Sequence, residues 1–152
     1  MKQHLISLVL FFSFLLSGCM PLKQTEVTSP NGHIRLAFAL DGNNRMTYQV
    51  SVGDTVCITS SLLGFTAKDG VNLAEGFKVI NTDFTTHDET WTQPWGENKN
   101  IRNHYNEMAV HLSDTTNTKL TLRFRIFDDG LGFRYEYEVP GADSICLLYT
   151  SP

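Results

Sequence analysis

Cysteine is scarce in this chain, three residues among 152. The spacing of those three matches neither a disulfide framework nor the paired ligands of a zinc site. No structural disulfide is expected. No segment sustains apolar residues at helical spacing, which excludes a helical bundle and any fold built on long helices. Charge is also sparse. Twelve Lys and Arg against 16 Asp and Glu leave a net charge of −4, and charged residues make up only 18% of the chain. Such a surface has no basic footprint for a phosphate backbone, so nucleic acid is excluded as a partner. There is no glycine-rich phosphate loop and no Ser-His-Asp order. Asp128-Asp129-Gly130-Leu131-Gly132 reads as a hairpin turn and not as a nucleotide fingerprint. What remains is a chain that is 41% hydrophobic and 11% aromatic, enough for the core of one domain.

The most apolar run, Leu5 to Leu16, is too short to span a bilayer as a stable helix and follows the polar, basic Lys2 and His4. That pattern is an export signal. It ends in Leu16-Ser17-Gly18-Cys19, which resembles the bacterial lipoprotein box, where small residues admit the peptidase and the cysteine thiol carries lipid. Residues 1–19 are therefore expected to be a signal peptide with lipidation at Cys19, and simple cleavage is the plainer alternative. The mature chain is expected in the periplasm or cell envelope, held to a membrane by its acyl chains. Residues 20–27 carry no periodicity and read as a tether. Cys57 reads as a small buried residue within a strand.

After the turn signal Ser29-Pro30-Asn31-Gly32, Ile34, Leu36, Phe38 and Leu40 alternate with His33, Arg35, Ala37 and Ala39, a strand with one buried face. Asp41-Gly42-Asn43-Asn44 turns the chain into a second strand carrying Met46, Tyr48, Val50 and Val52. Gly53-Asp54 is a two-residue hairpin with glycine at its first central position, and Val56-Cys57-Ile58 continues beyond it. Weaker strands are expected at 62–65 and 77–84, separated by the Lys68-Asp69-Gly70 turn. Periodicity stops from Thr85 to Asn100, which predicts a long functional loop. Strands resume at 105–112, 120–126 and 133–139. Arg123 and Arg125 of one strand are set to meet Glu136 and Glu138 of the next across the Asp128-Asp129-Gly130 turn. Roughly eight short strands with turns between them predict an all-β sandwich.

Both tryptophans fall in one stretch, Trp91 to Glu107, with Glu97, Arg102, Asn103, His104, Tyr105 and Asn106. Aromatic faces beside planar hydrogen-bonding groups suit a sugar ring, which has an apolar C–H face and a rim of hydroxyls. The same residue types also suit core and loop packing. His104, Glu107 and His111 lie close in sequence, but the zinc-protease pattern needs two histidines one helical turn apart. In a strand, His104 and Glu107 point to opposite faces, so no metal site is expected there. His87-Asp88-Glu89 reads as a solvated turn. Glu97 and Glu107 are a conceivable carboxylate pair for glycoside hydrolysis, which needs a separation of roughly 5–9.5 Å. Carboxylates on a loop and a strand of a small sandwich more often bind than cleave.

Ser29-Pro30-Asn31-Gly32, Trp95-Gly96-Glu97, Asn103-His104-Tyr105-Asn106-Glu107 and the run from Phe124 to Glu136 occur in that order. Together they resemble the N-terminal domain of glycoside hydrolase family 97, the SusB-like α-glucosidases and α-galactosidases of Bacteroidetes, over about residues 26–140. The resemblance implies an antiparallel β-supersandwich related to the galactose mutarotase-like fold, here incomplete. It also implies a catalytic (β/α)8 barrel in cis, calcium near the active site of the full-length parent, and α-linked oligosaccharide as substrate. The catalytic residues and most calcium ligands belong to the barrel, so this chain is expected to carry no catalytic residue and no metal ligand of its own. Residues 28–140 are expected as a partial N-terminal domain. Residues 141–152 resemble translated adapter sequence and are expected to be non-native, with a terminal strand through Ile145, Leu147 and Tyr149 as the alternative. On this basis Trp91, Trp95, Glu97, Arg102, Asn103, Tyr105, Asn106 and Glu107 are the residues expected to meet substrate or the catalytic domain. Two other readings are a stand-alone lipid-anchored carbohydrate-binding module and a purely structural envelope module.

Overall fold

The computed structural model describes residues 25–66 and 72–137. The described chain is all-β, in eight strands: β1 (Thr25–Thr28), β2 (Ile34–Leu40), β3 (Met46–Val52), β4 (Thr55–Leu62), β5 (Lys78–Thr92), β6 (Asn100–Ser113), β7 (Lys119–Ile126) and β8 (Leu131–Tyr137). They form two antiparallel four-stranded sheets in simple sequence order, β1-β2-β3-β4 and β5-β6-β7-β8.

The alternation in the sequence sets which face of each sheet is buried. Leu36 and Phe38 from β2 and Met46 and Val50 from β3 meet Met108, Val110 and Leu112 from β6 and Leu120, Leu122, Phe124 and Ile126 from β7. Phe38 and Phe124 touch across the sandwich with ring centroids 6.1 Å apart, and Tyr48 reaches Phe133 of β8 at 5.8 Å. β1 lies against β6, and β2 against β7. Two polar links pin the ends of the sheets together. The Asn31 backbone N–H donates to Asp128 Oδ1 at 2.9 Å, and the Gly64 N–H donates to the Tyr135 hydroxyl at 2.9 Å. Gly64 is required where it stands. Its φ is +133°, and a Cβ there would sit 2.4 Å from the Ala74 Cα.

The expected turns form. Val52 pairs directly with Thr55, and Gly53 takes φ +55° at the first central position of that hairpin. The Asp128 turn closes through a Phe127 N–H bond to the Gly130 carbonyl at 2.8 Å. The Lys68-Asp69-Gly70 turn, the export signal with Cys19, and residues 141–152 with Cys146 lie outside the described residues.

Four expectations are corrected. Residues 25–27, read as part of a tether, belong to β1, and Val27 is buried. The weak strand at 62–65 is the end of β4 followed by irregular chain, of which Leu63 is buried. Cys57 is on a strand but exposed, because β4 is a sheet edge with little over it. The long loop at Thr85–Asn100 is mostly strand. β5 runs to Thr92, and only residues 93–99 connect it to β6. Periodicity failed there because it records burial, and the distal half of β5 is exposed on both faces.

Candidate functional site

The β5–β6 hairpin is longer than the sheet that carries it. β7 pairs with β6 only as far as Asn106↔Ile126, while β5 and β6 continue to pair through Thr92↔Asn100. Six further residue pairs at about 3.4 Å per residue make a two-stranded arm about 20 Å long. All eight candidate residues lie along it or at its base.

Register divides them between two faces. Trp91, Asn103, Tyr105 and Glu107 share one face, since Trp91 opposes Ile101, Glu89 opposes Asn103 and His87 opposes Tyr105. Arg102 and Asn106 are on the other. Trp95 and Glu97 belong to the tip loop. Trp91 is 58% exposed and Trp95 85%, so both tryptophan faces are open at the end of the arm. The tip is shaped by Gly96 at φ +123° and by a Gln93 side-chain amide donating to the Asn98 carbonyl at 2.9 Å.

Below the tip, the polar residues are held by partners on β5. Arg102 makes a two-toothed ion pair with Asp88, both bonds at 2.8 Å. The guanidinium hydrogen bond lowers the Asp88 carboxyl below its usual range. Asn103 donates to Glu89 at 3.2 Å, and Glu89 also meets His87 at 3.1 Å, whose hydrogen bond lowers the Glu89 carboxyl. Tyr105 is nearly buried. It stacks on His87 at 5.0 Å, packs on Phe127 at 5.2 Å and carries the Arg125 guanidinium over its ring at 4.7 Å. Asn106 stitches the arm to the other sheet, accepting from Thr86 at 2.8 Å and donating to the Thr28 carbonyl at 2.9 Å. His87, Asp88 and Glu89, expected as a solvated turn, are thus the strand partners of the candidate residues. Opposite charges and an aromatic pair at matching distances from the Gln93–Lys99 loop were the signal for that pairing.

Glu107 anchors an ionic lattice at the arm's base. It is 7% exposed and accepts from Arg123 and, at 2.7 Å, from Arg125. Arg123 in turn holds Glu136 at 2.8 Å, the cross-strand pairing expected from sequence, and Arg134 also reaches Glu136. Burial pushes the Glu107 carboxyl up, but the bonds from Arg125 and Arg123 outweigh it and leave it below its usual value. Arg123 brings Glu136 down from 4.5 to about 2.

Both carboxylates therefore release protons more readily in the folded chain. Their contribution to stability is complete above about pH 5 and is lost as pH falls from 4.5 towards 2. Glu136 is 36% exposed, so solvent screening limits its share to about 1 kcal/mol. Urea midpoints of the chain should fall between pH 5 and pH 3, and Glu136→Gln should flatten that slope. Parallel profiles for the two proteins would show that the lattice adds nothing.

The lattice also separates the catalytic options. From Glu107 to Asn100 the strand rises about 24 Å, with Glu97 beyond it in the tip loop, far outside the separation that glycoside hydrolysis requires. His104 is on the face opposite Glu107 and His111. The His111 ring bonds Asp83 and Thr121, each at 2.9 Å. The described residues contain no group of three or more His, Cys, Asp or Glu able to hold a metal ion.

Comparison with known proteins supplies the family of this sandwich. The glycosyl-hydrolase 97 N-terminal model matches residues 27–147. The chain belongs to this family. A retaining alpha-galactosidase of Bacteroides thetaiotaomicron is 26% identical over 113 residues, which is 74% of this chain and 16% of that protein. Glycoside hydrolase family 97 enzymes from Pseudoalteromonas sp. strain K8, solved with panose and with acarbose, superpose with a TM-score of 0.71 at 29% identity. The superposition covers 77% of this chain and 18% of theirs. A beta-arabinopyranosidase at 24% identity shares the fold, with a TM-score of 0.69. The chain thus spans about a sixth of the length of the relatives it matches.

Proposed function

We propose that this chain is the non-catalytic N-terminal part of an exo-acting α-glycosidase of family 97, supporting the substrate site of a catalytic barrel in the same polypeptide. The observation that carries the reading is the family match over residues 27–147, set beside relatives of which the chain covers only 16–18%. The relatives' names, an α-galactosidase and enzymes bound to panose and acarbose, point to α-linked glucosides or galactosides as substrate. The division of labour follows from the geometry. The paired residues along the shaft of the arm keep it straight, and the open Trp91 and Trp95 faces at its tip offer stacking area to a sugar or to the barrel rim. Calcium in the parent would sit near the active site, with most of its ligands on the barrel. Residues 1–19 would export the protein and place it in the cell envelope, with Cys19 as the lipid anchor.

The test is hydrolysis. The full-length gene product should cleave α-glucosides or α-galactosides, and the 152-residue chain should cleave neither. The exposed tryptophans favour one other reading, a stand-alone glycan-binding lipoprotein. Maltooligosaccharide affinity of the 152-residue chain that disappears in Trp95→Ala would establish that reading in place of the first.

A further inference from the structure

The arm has to be held at its base, because a two-stranded ribbon is marginal by itself and free to twist. β7 stops pairing with β6 at Ile126↔Asn106, so Tyr105 and His87 form the first rung with no third strand beside it among the described residues. One side chain reaches across that step. Arg125 stands opposite Glu107, two residues back from Tyr105 on the same face. Its Nε donates to Glu107 Oε2 at 2.7 Å, and its guanidinium lies 4.7 Å from the centre of the Tyr105 ring. On β8 the residue opposite Arg125 is Gly132, which has no side chain to draw the guanidinium away. Arg123, by contrast, is shared between Glu107 and Glu136. Tyr105 is thus enclosed by Arg125 from β7, His87 from β5 and Phe127 from the turn after β7. On the other face of the base, the Asn106 amide donates to the Thr28 carbonyl of the facing sheet.

We infer that Arg125 is a positioning residue for the substrate site: through Tyr105 it fixes the direction of the arm, and so the place of Trp91 and Trp95 at its far end. The inference rests on the reading under Proposed function that the arm tip meets the substrate or the rim of its site. The arm is a lever. A tilt of about 10° at the base moves the end of a ribbon about 20 Å long by roughly 3.5 Å, and a misplacement of about 1 Å can cost about 100-fold in rate. Arginine suits the task because its planar guanidinium stacks on the ring while its Nε stays bonded to a carboxylate. Glu107 also accepts from Arg123, so removing Arg125 does not leave a buried carboxylate unpaired.

Two variants separate positioning from packing. Arg125→Ala removes the contact. Gly132→Glu leaves Arg125 and every arm residue in place but sets a competing carboxylate opposite Arg125, at a position where a Cβ meets nothing within 4 Å. In the 152-residue chain and in the full-length gene product, amides at 87–92 and 100–105 should exchange about 10-fold faster in both variants, with 119–124 unchanged. In the full-length enzyme each variant should lower kcat/KM on an α-linked oligosaccharide about 10-fold, in whichever constant, KM or kcat, the Trp91→Ala/Trp95→Ala replacement moves. In that doubly replaced background Arg125→Ala should cost nothing further, since it acts through the tryptophans. Arg125→Lys, which keeps a cation beside Glu107, should recover about half of the lost activity. Unchanged exchange along the arm in both variants overturns the inference, as do kinetic losses that add to those of the tryptophan replacement. Faster exchange that extends through 119–124 also overturns it, since Arg125 would then hold the sheet and not the arm. Unchanged exchange in a product that hydrolyses α-glycosides refutes the positioning role alone. Faster exchange confined to the arm, in a product without hydrolase activity, refutes the functional reading and confirms that Arg125 holds the arm.

Discussion

Phe124→Ala is expected to remove about 3–5 kcal/mol of stability, the usual cost of an aromatic cavity in a packed core. Phe124 is fully buried and stands between Phe38 of the facing sheet and Phe133 of β8, with centroids 6.1 and 5.8 Å away. A domain of this size holds roughly 5–15 kcal/mol in total, and among the described residues Val79, Ile80 and Phe84 of β5 stay exposed and add little packing. The variant should therefore show a strongly lowered denaturation midpoint or no cooperative transition at all in circular dichroism. A loss below about 1 kcal/mol would mean that the two sheets are not held together through this ring.

Paired replacement of Trp91 and Trp95 by alanine should do the opposite, sparing the fold and reducing function. At 58% and 85% exposure, the two side chains contribute little to packing, so melting of the domain should stay within experimental scatter. In the full-length enzyme, kcat/KM on an α-linked oligosaccharide should fall about 10- to 100-fold, equivalent to roughly 1.4–2.7 kcal/mol of transition-state binding. The proportion of the loss in KM would tell whether the rings stack on substrate or brace the barrel. Unchanged kinetics would leave the arm a projection without a role at the substrate site.

Much of this fold was legible where one face of a strand is buried. Ile34 to Leu40 and Leu120 to Ile126 alternate because one side of each meets the core, and the Gly53 turn carries glycine at the positive φ that its backbone takes. Legibility ended where burial ended. The distal half of β5, rich in threonine and charge on both faces, looks like loop because no sheet among the described residues lies above or below it, yet fourteen register pairs tie the strand to β6. Cys57 misled for the same reason, since an exposed edge strand carries small residues as readily as a core does. The candidate residues were found as a stretch, but their division between an open tip and an ion-paired shaft depends on the partners His87, Asp88 and Glu89, which only the register brings opposite them.

The central claim is that this chain is the front of a glycosidase, and sequencing the source DNA from the codons of Phe133 onward with independent primers tests it most directly. The account predicts a frame that continues past Ala142, completes the sandwich and enters a barrel with spaced carboxylates. A verified stop directly after Pro152 would contradict it and leave a small envelope protein of the family 97 N-terminal fold with its own binding role.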